Sequence, residues 1–277
     1  MLISRTCFGA DKEFCKLLFN AGYTAVDIND TSHKPEIFLQ SEDEQFSFFK
    51  NVVDNIKNAG LAIGQCHAPH SVSLWCSTDE EIEQRIVAIE NCVKMADQFN
   101  IPYTVIHPFV YAFNKEADNP EKLWQFNVDT IRRICKCAIS TKICFENMPG
   151  VGGVIRTGED MAKMLTDVGC DNLMVCLDTG HLACQGGKAT DFFAAVGDRV
   201  KTLHIHDSIP GQDLHLLAGE GRFDWEDFKI ALKQYNYQGT INSESNFVYN
   251  LKANLRLEGQ ILERKILEGF ENRWRNN

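Results

Sequence analysis

Along the chain, short β-branched or apolar runs alternate with longer stretches of helical spacing, and this alternation most restricts the fold. The runs that read as strands are Ile3–Phe8, Ala25–Ile28, Ala62–Cys66, Tyr103–Ile106, Ile143–Phe145, Leu173–Leu177, Thr202–Ile205 and Thr240–Ser243. Between them, Phe46, Phe49, Val53 and Ile56 fall on one helical face, as do Ile82, Ile86, Ile89, Val93 and Ala96. Trp124, Val128, Ile131 and Cys135 repeat the pattern. Thr78 with Glu81 predicts a capping box, and Asp224 is placed to cap a helix carrying Trp225, Phe228, Leu232 and Tyr235. No linker or repeat interrupts the series, so one domain over 1–277 is expected.

Eight βα units fit a closed (β/α)8 TIM barrel, and also a doubly wound open sheet. The placement of ionisable residues separates the two. An open sheet binds ligand at one switch point, whereas here His67, His107, Glu146, Asp178, His204 and Glu244 stand at the ends of six strands. That is the pattern of strands converging on a common axis, so a barrel is expected.

His70, His181, His206, Asp213 and His215 follow in the loops, and all eight histidines, His33 included, lie at or beyond a strand end. Such clustering of metal-ligand types predicts a divalent-metal site. Imidazole mixed with carboxylate suits Zn or Mn first, with Fe, Co and Mg as further options. Cys144 and Cys176 precede Glu146 and Asp178 by two residues, so alternation places them on the same interior face, one layer deeper, as small core residues.

A formal net charge of −10 and a pI near 5.3 argue against a general nucleic-acid or acidic-membrane surface. Met1 to Asp11 carries no basic patch with a long apolar run, and no later stretch approaches a membrane span, so a cytoplasmic protein is expected. Its 11 cysteines include no Cys-x-x-Cys pair, and only Cys135 and Cys137 are close, which reads as reduced thiols.

Several segments resemble the xylose isomerase-like TIM barrels, which include sugar and sugar-phosphate isomerases and epimerases, inosose dehydratase-like proteins and the endonuclease IV branch. They are Cys66-His-Ala-Pro-His70, Val105-Ile-His-Pro108, Cys144-Phe-Glu-Asn-Met-Pro149, Leu177-Asp-Thr-Gly-His181, Leu203-His-Ile-His-Asp207, Asp213-Leu-His215 through Gly219-Glu-Gly221, and Ser243-Glu244. The resemblance implies a metal held by Glu146, Asp178, His204 and Glu244, with the two glutamates flanking the reacting carbon as catalytic groups. It also implies that His67, His107, His181 and His215 bind substrate or, with Asp213, serve as additional ligands as in the three-zinc endonuclease branch. The family often has Lys where His206 stands, which leaves His206 and His204 both open as ligands.

The first expectation is therefore a divalent-metal-dependent isomerase or epimerase of a sugar, sugar acid or sugar phosphate, working by proton transfer next to a carbonyl through a metal-stabilised enediolate. One alternative is a metal-dependent phosphodiesterase acting on abasic DNA, for which the cations Lys34, Lys115, Arg156, Lys188 and Arg222 make a thin footprint among acidic neighbours. Others are a dehydratase sharing the same first step and a barrel that only binds a ligand or stores a metal. The expected partner is a small carbohydrate, with no membrane and with homo-oligomerisation open. Phe38, Trp75, Phe109, Tyr111 and Phe113 are candidates to close over a substrate, and Arg156 and Arg222 to meet its phosphate or carboxylate.

Overall fold

The computed structural model describes residues 2–7, 9–70, 78–109, 119–150 and 155–275. Strands β1 (Ile3–Cys7), β2 (Ala25–Ile28), β3 (Ala62–His67), β4 (Tyr103–Ile106), β5 (Lys142–Glu146), β6 (Leu173–Asp178) and β7 (Val200–His204) follow one another in space as in sequence. After a hairpin of β8 (Asp207–Ile209) and β9 (Gln212–Leu216), the last strand, β10 (Ile241–Ser243), pairs in parallel with β1. A parallel bridge between Ile205 and Ser243 closes the ring, with the Ile205 amide donating to Asn242 at 2.8 Å and the Glu244 amide to Ile205 at 3.0 Å. The protein is a TIM barrel.

Helices α1 (Lys12–Ala21), α2 (Glu42–Asn58), α3 (Asp79–Gln98), α4 (Pro120–Cys137) and α5 (Gly158–Val168) each return the chain to the next strand. Two short helices, α6 (Thr179–Cys184) and α7 (Ala189–Val196), follow β6; α8 (Trp225–Gln234) precedes β10 and α9 (Arg256–Arg275) follows it. The expected caps are present: Thr78 and Glu81 form a capping box on α3, and Asp224 accepts from the Asp227 amide on α8. They satisfy amides that have no partner inside the helix. No helix among the described residues is long and apolar enough to cross a membrane.

The main core lies between the strands and the helix ring, as buried parallel strands require. The α3 face of Ile82, Ile86, Ile89, Val93 and Ala96 is buried throughout. Phe46 departs from its predicted face: it is 42% exposed and stacks on Phe99 with ring centroids 5.1 Å apart. Inside the barrel, Val105, Cys144 and Cys176 form a small separate apolar cluster, the layer that alternation placed below Glu146 and Asp178. All ten cysteines among the described residues are free.

Candidate metal centre

The same strand geometry brings the polar residues together. His67, Glu146, Asp178 and His204 are the last residues of β3, β5, β6 and β7, while His107 and Glu244 sit one residue beyond β4 and β10. Among the described residues, ligand-type side chains form three main groups whose donor atoms all lie within 4.8 Å of one another: His67, His107 and Glu146; Glu146, Asp178, His204 and Glu244; and, from the loops, His181, His206, Asp213 and His215; Cys176 lies equally close to Glu146 and His204. Glu146 belongs to the first two, so one carboxylate links them.

In the central group, His204 Nδ1 lies 3.2 Å from Glu146 Oε1 and 3.1 Å from Glu244 Oε2. In the group beside it, His67 Nε2 is 3.0 Å from His107 Nε2, and these atoms lie 3.5 Å and 3.1 Å from Glu146 Oε2. Glu146 Oε2 and His204 Nδ1 are buried with no hydrogen-bond partner. Unpartnered buried donors and acceptors are costly, and a cation among them removes the cost. The mixed nitrogen and oxygen donors fit a borderline divalent metal such as zinc or manganese.

The outer group is organised by hydrogen bonds on the far side of each ring. His181 Nδ1 lies 2.7 Å from the Asn147 carbonyl, which makes it the donor and leaves Nε2 facing Asp213 Oδ2 at 3.2 Å. His215 Nδ1 donates to the Glu244 carbonyl at 3.0 Å, leaving Nε2 at 3.4 Å from the same Asp213 oxygen. Fixing the distal nitrogen in this way selects the tautomer that a ligand needs.

His206 sits differently. Its ring stacks on His215, with centroids 3.9 Å apart and planes 9° from parallel. Two parallel rings cannot aim their in-plane lone pairs at one ion. His206 Nε2 instead donates to Asp178 Oδ2 at 2.9 Å, so His204 groups with the central carboxylates while His206 stands with the outer group. Gly180 makes the room: a Cβ there would lie 1.9 Å from the His206 ring.

These contacts displace the titrations. Burial pushes the Glu146 carboxyl up, but His204 and His107 outweigh it and hold it well below the usual range. Burial pulls His181 down, yet Asp178, Asp213 and Glu146 raise it to about 10. His215, opposed by burial in the same way, is raised to about 9 by Asp213 and Glu244.

Three supporting residues were not anticipated from the sequence, Asp27 and Gln65 because they lie within strands and Asn29 because, although it follows β2 directly, it is not ionisable. Asp27, fully buried in β2, lies 3.4 Å from His204 Nε2, and its Oδ2 accepts from Thr6, Gln65 and Asn242. Gln65 Nε2 is itself 3.0 Å from His204 Nε2. Asn29 donates to Glu244 Oε1 at 3.3 Å. The available clue was a carboxylate inside the apolar run Ala25–Ile28.

Two predicted substrate contacts are corrected. Phe38 is fully buried against Phe49 at 6.0 Å, held in the core by the short 3-10 helix Pro35–Leu39. Phe109 is 2% exposed and packs edge-on against Phe126, so it too is core. Arg156 and Arg222 are exposed and belong to none of the three groups. Trp75, Tyr111 and Phe113 lie outside the described residues, as do Lys115 and the tip of the glycine-rich loop after Pro149.

Residues 15–262 match the family described as the xylose isomerase-like TIM barrel. The chain belongs to that family. An uncharacterized protein of Methanocaldococcus jannaschii is 26% identical over 71% of this chain and 69% of its own length. Fructoselysine 3-epimerase of Shigella flexneri is 25% identical over 66% of this chain and 64% of its own. A probable endonuclease 4 of Methanosphaera stadtmanae is also 25% identical, over 57% of this chain and 60% of its own. The matched stretch thus spans under two thirds of this epimerase and of this endonuclease. A D-psicose 3-epimerase structure aligns over 96% of this chain and 98% of its own, with TM-score 0.75 and 14% identity.

Proposed function

We propose that this family member is a divalent-metal-dependent isomerase or epimerase of a sugar, sugar acid or sugar phosphate. The observation that carries the reading is the convergence of Glu146 and Glu244, at 3.2 Å and 3.1 Å, on one nitrogen of His204. Both carboxylates lie deep in the barrel mouth, and both approach the same point from different strands. Support also comes from the epimerases among the relatives and structural neighbours.

Glu146, Asp178, His204 and Glu244 would hold a zinc or manganese ion, which supplies the positive charge that stabilises an enediolate beside the substrate carbonyl. Glu244 and Glu146 take and return the proton on the two sides of the reacting carbon. Asn29 holds one oxygen of Glu244 and leaves the other directed at the centre. His67, His107, His181 and His215 line the surrounding space and bind substrate hydroxyls or further ions. A dehydratase would share the proton abstraction and differ in expelling a β-hydroxyl afterwards.

The test is solvent deuterium incorporation into sugars and sugar phosphates by the Glu146→Gln and Glu244→Gln variants at matched metal occupancy. Gln keeps the size and one coordinating oxygen but accepts no proton at neutral pH. Exchange should fall about a hundredfold or more, with substrate affinity changed far less. Wild-type exchange in both variants would remove the two glutamates as bases.

A second reading, phosphodiester hydrolysis on abasic DNA, is favoured by one observation, the outer group of His181, Asp213 and His215. It predicts three tightly held zinc ions per chain together with cleavage of an abasic duplex. One tight ion with sugar turnover supports the first reading.

A further inference from the structure

Arg5 and Glu263 form an ion pair at 2.8 Å, each 1% exposed, outside the ring of strands and next to none of the metal groups. Arg5 stands on β1 opposite Ser243 of β10, and Glu263 reaches in from α9. Among the described residues, the side-chain hydrogen bonds and ring contact of the pair fall on Ser243 and Ser245, which flank Glu244, and on Tyr23 and Tyr249. Arg5 Nη1 donates to Ser243 Oγ at 3.2 Å, and Arg5 Nη2 to the Ser245 carbonyl at 2.7 Å. Glu263 Oε1 accepts from Ser243 Oγ at 2.5 Å and also from Ser245 Oγ. Tyr23 donates to Glu263 Oε2 at 3.3 Å, and the guanidinium lies 5.3 Å from the Tyr249 ring centroid.

A buried ion pair seldom stabilises a fold more than apolar residues of the same volume, because desolvation offsets the attraction. Its distinctive property is direction, since a guanidinium offers donors in a fixed fork. Here the fork grips residues 243 and 245 from outside, and alternation turns the residue between them inward. The Glu244 backbone is fixed as well, its amide on Ile205 and its carbonyl on His215.

We propose that Arg5 and Glu263 are positioning residues that set the direction in which Glu244 enters the central metal group. The inference rests on the reading of Glu244 as a ligand and base. It assigns the closing helix α9 a part in the site, through a carboxylate that never touches substrate or ion.

The experiment uses metal-free full-length protein titrated with Co2+ against a competing chelator, at a temperature where circular dichroism shows each variant folded. Arg5→Lys keeps the charge and loses the fork. Arg5→Gln combined with Glu263→Gln keeps polar partners and removes both buried charges. Glu244→Ala is the benchmark. Each of the first two should weaken the tightest Co2+ site by about tenfold to a hundredfold, as loss of an outer hydrogen-bond partner does, and should alter its visible absorption. The melting temperature of metal-free Arg5→Lys should stay close to that of the parent protein.

Wild-type Co2+ affinity in both folded variants, with Glu244→Ala impaired, overturns the positioning role and leaves the functional reading standing. Wild-type affinity in Glu244→Ala overturns the reading of Glu244 itself. Failure of both Arg5 variants to fold makes the pair structural and also overturns the inference.

Discussion

Asp27 and His204 are both fully buried, and the carboxylate meets the imidazole on the side away from the central group, at 3.4 Å. A buried carboxylate on that side favours the positively charged or metal-bound ring. Asp27→Asn should therefore weaken binding of the tightest zinc or Co2+ by about tenfold to a hundredfold, read by titration against a chelator. The outer group makes a second prediction, for the metal-free protein. His181 and His215 are raised to about 10 and about 9, so their contribution to stability is full below pH ~6.5 and is lost as pH rises through those values. Melting of metal-free protein should fall between pH 7 and 10, while zinc binding, which displaces these protons, should tighten over the same range. Thermal scans across that range that show no fall for metal-free protein would contradict the assignment. The strand-end residues were legible because a barrel carries its chemistry at one rim and the chain marks six of the eight strand ends with a histidine or carboxylate. Asp27 and Arg5 were not, because alternation within a short strand does not say whether a charged residue faces solvent, a helix or the barrel interior.

The hairpin of β8 and β9 is the element that delivers Asp213 and His215. Its two strands have 3 and 5 residues and are joined through Pro210 and Gly211, the glycine at φ +78°. Runs so short, with polar residues on both faces, carry no readable period, so the sequence placed ligands there without showing what holds them. Asp207 holds them: its carboxylate accepts from the amides of Ser208, Gly219 and Phe223 and from the Trp225 indole at 2.8 Å. Asp207→Ala leaves these donors unpaired and should cost about 3 kcal/mol or more in denaturant unfolding, at about 1–3 kcal/mol for each orphaned group. The same variant should lose ions bound by the hairpin residues before those bound by Glu146, Asp178 and Glu244, which metal analysis after graded dialysis would reveal. The helix faces, by contrast, were nearly all legible, because a period of 3.6 sustained over α3 is unambiguous. Phe38 was misplaced for the opposite reason, being held by a single 3-10 turn too short to show a period.

At the scale of the molecule, the three candidate groups tie six of the eight barrel strands together at one rim. An ion bound only by the folded state stabilises it in proportion to RT ln(1 + [L]/Kd). Chelation should lower the melting temperature and added zinc should restore it, the shift growing with free zinc. No shift at any zinc concentration would exclude tight binding at this rim. The seam between β10 and β1 carries a further consequence. Arg5 and Ser243 are 238 residues apart in the chain, and Glu263 lies later still. On a ribosome, the segments bearing His67, His107 and Glu146 emerge well before the strand that bears Glu244. The nascent chain therefore cannot acquire its complete ligand set during most of synthesis. Under the proposed ligand set, selection of an ion would be deferred to the moment the strand bearing Glu244 docks against β1.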